Sequence, residues 1–304
     1  MDTSVSRRVG WALEPPQPQQ RSIVELIRAG TIDAELAAIA WLLLEARVPV
    51  IVAASRGRTG KTTLLEALLA FLPPGAVRRD LGGVAETFDW LPHAADLGWS
   101  GRPPEARPAL ADPASTWIVA AELSDHLPAY VWGDGARVAL RALALGFGFG
   151  ATIHADSLEE VFDLLHRPPV ALTDDELTRL GLVFVLRAYP PPPGDVESGP
   201  ARRVVAAHYV RPLARDVHGH IQRLGPAVLA TWDENDDRFE HFAWGILAEL
   251  ADRAGRSPGS FQQELESRRE YLAGLAAAGV TDVDSVRTAI VGYRAATAVA
   301  AHLN

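Results

Sequence analysis

The chain has 304 residues, 48% of them hydrophobic, enough for one large domain or two ordinary ones with a sizeable core. Thirty-eight acidic residues against 29 Lys and Arg give a net charge of −9, which excludes the overall footprint of a dedicated nucleic-acid binder, though not a local basic channel. There is no cysteine, so disulfides and thiolate metal sites are excluded as well. Residues 1–20 are polar, carry Pro15, Pro16 and Pro18, lack a signal-peptide apolar region, and read as a flexible tail. From 22 to 47 the pattern predicts one or two helices, with a break at Gly30-Thr31 and an apolar face of Leu36, Ile39, Ala40, Leu43 and Leu44. A buried strand follows from Val50. Residues 80–113 are irregular and rich in Gly and Pro. Strands are predicted over 116–121, 150–153 and 182–186, and helices over 134–145 and 157–166. Thr173-Asp174-Asp175-Glu176 has the form of a capping box. The run 190–193 is a proline loop. Residues 203–210 and 220–232 are expected to be paired edge strands joined by a turn near 216–219. Three helices close the chain, over 242–253, 257–275 and 281–303, with Ser257-Pro258 and Thr281 as N-terminal caps.

The alternation of apolar strands and helices implies an α/β fold with a mostly parallel sheet covered on both faces. Such sheets bind ligands at the carboxyl ends of their strands. Three polar features fall immediately after apolar strands. The first is Ser55-Arg56-Gly57-Arg58-Thr59-Gly60-Lys61-Thr62, which fits G-x-x-x-x-G-K-[ST] with Ser55 in place of the first Gly. Gly57 and Gly60 allow a curled backbone whose N–H groups face an anion. Lys61 reaches the outer phosphates, the Thr62 hydroxyl suits Mg²⁺, and the helix dipole adds positive potential. Ser55, Gly57, Thr59, Gly60, Lys61, Thr62 and Thr63 are therefore the candidate nucleotide-binding residues. The second feature is Glu122, able to support the metal with Thr62 or to polarise water. The third is His154, placed to sense a γ-phosphate by hydrogen bonding.

These segments resemble the type II/type IV secretion ATPases, the traffic ATPases of pilus, archaellum and tight-adherence systems. Residues 53–74 look like that family's P-loop and following helix. Residues 117–123 look like its Walker B strand, and Gly148-Phe149-Gly150-Ala151-Thr152-Ile153-His154-Ala155 looks like its histidine box, G-x-x-x-T-x-H-A. Residues 184–210, 268–275 and 286–293 are similar to its later strands and closing helices, and 22–48 to its linker helix. The resemblance implies a P-loop NTPase with a RecA-like core. The expected divisions are a tail over 1–21, linker helices over 22–48, a nucleotide-binding core over 49–241 and a C-terminal helical region over 242–304. It also implies a chain that starts near the linker, without the family's N-terminal domain. Counted without gaps, the Glu-Asp of the family's aspartate box falls on Gly82-Gly83, while its later Glu falls on Glu86, a carboxylate usually assigned to water activation. The Arg-Gly after the Walker B Glu is Ser124-Asp125, and the first His of the histidine box is Gly146. The implied catalytic set is Glu122, Glu86 and His154, with ATP and Mg²⁺.

The expected function is an ATP-driven motor subunit of a secretion or type IV pilus-like system. It would form a ring, hexameric by resemblance, against the cytoplasmic face of a polytopic membrane platform protein. The alternative is a catalytically weakened regulatory or assembly subunit acting on a partner ATPase. A nucleic-acid motor is the third possibility, disfavoured by the acidic balance and the histidine box. Neither of the most apolar stretches reads as a membrane span, since Glu45, Arg47, Arg137 and Arg141 interrupt them. A cytoplasmic protein is expected, with a peripheral place on the inner face of the plasma membrane left open. Arg78-Arg79 reads as a surface pair, His218 and His220 as exposed turn residues, and 234–237 as a solvated acidic turn.

Overall fold

The computed structural model describes residues 20–303 except 56, 102–108, 192–198 and 216–217. Most of the expected N-terminal tail, part of the proline loop and part of the 216–219 turn lie outside the described residues. In chain order the elements are α1 (Ile23–Arg28), α2 (Ala34–Glu45), β1 (Val50–Ala53), α3 (Lys61–Leu69), β2 (Val77–Asp80), β3 (Thr116–Leu123), α4 (Gly133–Arg141), β4 (Gly148–Ile153), α5 (Leu158–His166) and α6 (Asp174–Leu177). There follow β5 (Leu182–Tyr189), β6 (Ala201–Tyr209), β7 (Ala214–Arg215), β8 (Ile221–Gln222), β9 (Ala227–Asp233), β10 (Arg238–His241), α7 (Leu247–Arg253), α8 (Pro258–Ala277) and α9 (Val283–Leu303).

One eight-stranded sheet organises the chain, in the order β10-β9-β6-β5-β1-β4-β3-β2. β5, β1, β4, β3 and β2 are parallel, and β6, β9 and β10 continue the sheet antiparallel. This is the mostly parallel α/β sheet expected from the strand–helix alternation. β1 shows why its apolar run is unbroken. Val50 and Val52 face a core shared with α2, α3 and the C-terminal helices, while Ile51 and Ala53 face a second core shared with α4 and α5. A strand buried on both faces has no polar positions to alternate with.

The antiparallel side differs from the sequence expectation. β6 and β9 do pair, but β6 lies between β5 and β9, and the edge belongs to β10. The small β7–β8 pair occupies the expected turn region. At the other edge β2 was not anticipated, because its sequence Val-Arg-Arg-Asp is exposed at every position and carries no apolar signal. The capping box at Thr173 and Glu176 is present, and Ser257 caps α8 with Pro258 in the first turn. At α9 the cap is Asp282, whose carboxylate accepts from Ser285 N at 2.9 Å. Thr281 instead offers its carbonyl to the Ser22 hydroxyl at 2.6 Å.

The helices before β1 are built into the molecule. Trp41 of α2 is fully buried, stacks on Phe71 at 4.9 Å between ring centroids, and lies 4.7 Å beneath the Arg268 guanidinium. Its indole N–H donates to Glu45 at 2.7 Å. Glu45 is also paired with Arg268 at 2.7 Å and with Arg294 at 2.6 Å, so one carboxylate ties α2 to both α8 and α9. Burial alone raises the Glu45 pKa, but Arg268 and Arg294 outweigh it and hold the carboxyl below its ordinary value. The stability it supplies is therefore present above the ordinary value of 4.5 and is lost as the pH falls through the lower folded value. Glu45→Gln strands two arginines in a half-buried setting and is expected to cost about 3 kcal/mol near neutral pH. Urea unfolding should show that deficit shrinking in acid. A deficit unchanged across pH would mean that packing, not charge, sets it.

Candidate functional site

The site is assembled by sheet order. β1, β4 and β3 are adjacent and parallel, so the segments that follow them emerge side by side. After β1, Ala54 N donates to Ile153 O at 3.1 Å, which fixes the start of the loop against the end of β4. The loop then turns through Arg58 at φ 62° and Gly60 at φ 97°, and α3 begins at Lys61. Gly60 thus meets the requirement for left-handed backbone. Gly57 does not: its φ is outside that region and the space where a Cβ would sit is open. Ser55 is exposed and opens onto a neighbouring hollow beside Asp156 and Arg187, not onto the main cleft. Gly57, Thr59, Gly60, Lys61, Thr62 and Thr63 line a cleft of about 560 Å³, together with Glu122, Tyr130 and His154. That volume is in the range of small-molecule sites.

Lys61, Glu122 and His154 meet inside it. Lys61 Nζ is 3.5 Å from Glu122 Oε2 and 3.2 Å from His154 Nδ1, and His154 Nε2 is 3.8 Å from Glu122 Oε1. Both Lys61 and Glu122 are only 5% exposed. Burial lowers the Lys61 pKa, and the Glu122 carboxylate works against that shift. The position of Glu122 has a local cause. β3 carries one extra residue against β4 between Ala120 and Leu123, a bulge that re-aims the side chain. The fully buried Thr152 hydroxyl sits over this bulge, 2.6 Å from both Glu122 Oε2 and the Ala121 carbonyl. One oxygen, Glu122 Oε1, is buried with no hydrogen-bond partner.

The histidine-box pattern gains a physical reading here. The Trp117 ring occupies the space a Cβ would need at Gly148, at 2.4 Å, so only glycine fits. Thr152 braces Glu122, and His154 faces Lys61. The ring of His126 lies 5.6 Å from that of His154, an approach across sequence that no motif signals.

Glu86 is a correction to the expected catalytic set. It does not line the cleft. Its carboxylate accepts from Gly82 N, Thr87 N and Phe88 N, each at 3.0 Å, and from the Trp90 indole at 3.1 Å. Burial raises its pKa, but those four donors prevail and lower it. Glu86 organises the loop after β2. Arg202 and Arg21, by contrast, line the cleft and were not anticipated. Arg202 Nε donates to Thr59 O at 3.0 Å across 143 positions of sequence.

The residues fit a magnesium–nucleotide complex. The left-handed turn ahead of α3 presents backbone N–H groups, Thr62 supplies a hydroxyl, and the orphaned Glu122 Oε1 is a hard oxygen ligand. Among the described residues no group of three or more His, Cys, Asp or Glu side chains is placed to hold a metal ion by itself.

No family model matches the chain. It is 26% identical over 266 residues to an uncharacterized protein of Methanocaldococcus jannaschii, covering 83% of this chain and 90% of that one. A second uncharacterized protein of the same organism is 26% identical over 284 residues, covering 90% of this chain but 48% of the relative. Among solved structures, the VirB11 ATPase of the Brucella suis type IV secretion system, in complex with sulphate, is 20% identical with a TM-score of 0.35. That match covers 55% of this chain and 50% of the other. The Legionella pneumophila ATPase DotB is 14% identical with a TM-score of 0.35, covering 85% and 59%. The chain thus spans half of the first structure and 59% of the second.

Proposed function

We propose that this chain binds and hydrolyses ATP as a motor subunit of a secretion or type IV pilus-like assembly system. The observation that carries the reading is the meeting of Lys61, Glu122 and His154 within 4 Å at the carboxyl ends of adjacent parallel strands. Lys61 and the loop N–H groups bind the β- and γ-phosphates. Thr62 and Glu122 hold Mg²⁺, which supplies charge neutralisation on the phosphate oxygens. Glu122 also polarises the attacking water and takes its proton as the water oxygen bonds to the γ-phosphorus and the bond to the β-phosphate oxygen breaks. His154 bridges Lys61 and Glu122 and reports the outer phosphate. Self-association into a ring, contact with a membrane platform protein and a cytoplasmic place belong to the same proposal. No helix among the described residues is long and apolar enough to cross a membrane.

The commitment of Glu86 to its own loop favours one second reading, a nucleotide-binding regulatory subunit with slow turnover that acts on a partner ATPase. Steady-state hydrolysis with Mg²⁺ across protein concentrations separates the two. The motor reading expects specific activity to rise with concentration as subunits associate, in step with mass measured by sedimentation. Tight ATP binding without turnover at any concentration would move the assignment to the regulatory subunit.

A further inference from the structure

The cleft has two chemically different walls. Glu122 and His154 come from β3 and β4, on one side of β1. Arg202 comes from β6, two strands away on the other side. Its side chain lies along the phosphate loop: Nε donates to Thr59 O at 3.0 Å, Nη1 to Pro200 O at 3.3 Å, and Cδ stands 2.9 Å from where a Cβ on Gly60 would be.

No carboxylate pairs with Arg202 among the described residues, and its Nη2 makes no hydrogen bond there. Arg21, itself paired with Glu25 at 3.5 Å, is a second cation lining this wall. Burial first, and Arg21 second, lower the Arg202 pKa. The next residue shows the usual outcome in this acidic chain, where Arg203 is neutralised by Asp237 at 2.8 Å. Two cations on one wall of a cleft, one of them partly buried and with no carboxylate partner among the described residues, are arranged for an anion that arrives from solution.

We infer that Arg202 is a binding residue for the diphosphate common to ATP and ADP, gripping the phosphate chain from the side opposite Glu122 and His154. The inference rests on the nucleotide reading above.

Calorimetric titration of the full chain with Mg²⁺–ATP, Mg²⁺–ADP and inorganic pyrophosphate tests it, in wild type, Arg202→Gln and Arg202→Lys. Glutamine keeps a donor for the Thr59 carbonyl without the charge, and lysine keeps the charge. Arg202→Gln should weaken all three ligands by a similar factor, about tenfold. Arg202→Lys should recover much of the loss. Weakening of ATP alone would place the contact on the γ-phosphate and overturn the inference. Weakening of ADP without pyrophosphate would place it on the nucleoside, with the same consequence. Equal loss in the Lys and Gln variants would reduce Arg202 to a brace for the loop, and no change in either would remove it from the site. Wild-type protein that binds none of the three ligands would overturn the nucleotide reading itself, before any variant is compared.

Discussion

Lys61→Ala is expected to abolish nucleotide binding, raising the ATP dissociation constant by about 100-fold or more, a loss near 2.7 kcal/mol, and eliminating turnover. The ammonium is 5% exposed and held between Glu122 and His154, so no solvated lysine could take its place. Charge-assisted contacts to phosphate are among the stronger polar interactions, and this one sits where burial limits screening. The variant also removes the cation that offsets Glu122, leaving a carboxylate buried beside a histidine. Some ATP-independent stability is expected to be lost with it. Fluorescent-nucleotide titration beside thermal unfolding separates the two effects. A variant that remains folded and binds ATP like wild type would remove the loop from the site. One that unfolds is informative through Lys61→Met, which keeps the stem that lines the cleft.

Much of this site was legible because its parts are local. The strand–loop–helix around Lys61, and the apolar strands ending near Glu122 and His154, each declare themselves within a dozen residues. Parallel-sheet topology then brings strand ends together without any further signal. What was not legible depends on distance or on exposure. Arg202 reaches Thr59 over 143 positions, and Ala201-Arg202-Arg203 reads as an ordinary polar strand start. Thr152 stood out only as the Thr of the histidine-box pattern and Trp117 only as part of an apolar strand, although one braces Glu122 and the other dictates Gly148. β2 has four exposed residues and therefore no hydrophobic period to detect. Glu86 went wrong in the other direction. An ungapped count from Pro73-Pro74 suggested catalysis, but the loop turns the N–H groups of Gly82, Thr87 and Phe88 onto its carboxylate. Spacing locates a residue along the chain and says nothing of which donors the loop will turn towards it.

Glu122→Gln is the second large effect, and it should differ in kind from Lys61→Ala. Glutamine is close to isosteric and can still accept from the Thr152 hydroxyl, so the bulge in β3 keeps its brace. The change removes one negative charge and the ability to take a proton from water. General-base loss is expected to lower kcat by about 10²- to 10⁴-fold, while ATP binding persists within a few-fold. The electrostatics agree in sign. Glu122 opposes the burial-driven lowering of the Lys61 pKa, so its neutralisation lets that pKa fall further. An anionic substrate beside Lys61 restores the missing charge, so bound nucleotide should stabilise Glu122→Gln against unfolding at least as strongly as it stabilises wild type. Phosphate release in single-turnover experiments, with thermal shifts by ATP alongside, measures both. If kcat stays within about threefold, far less than a general base contributes, Glu122 serves the metal or the fold alone. The water would then have to be activated by His154 or by a group from outside this cleft, because Glu86 is already committed to four donors of its own loop.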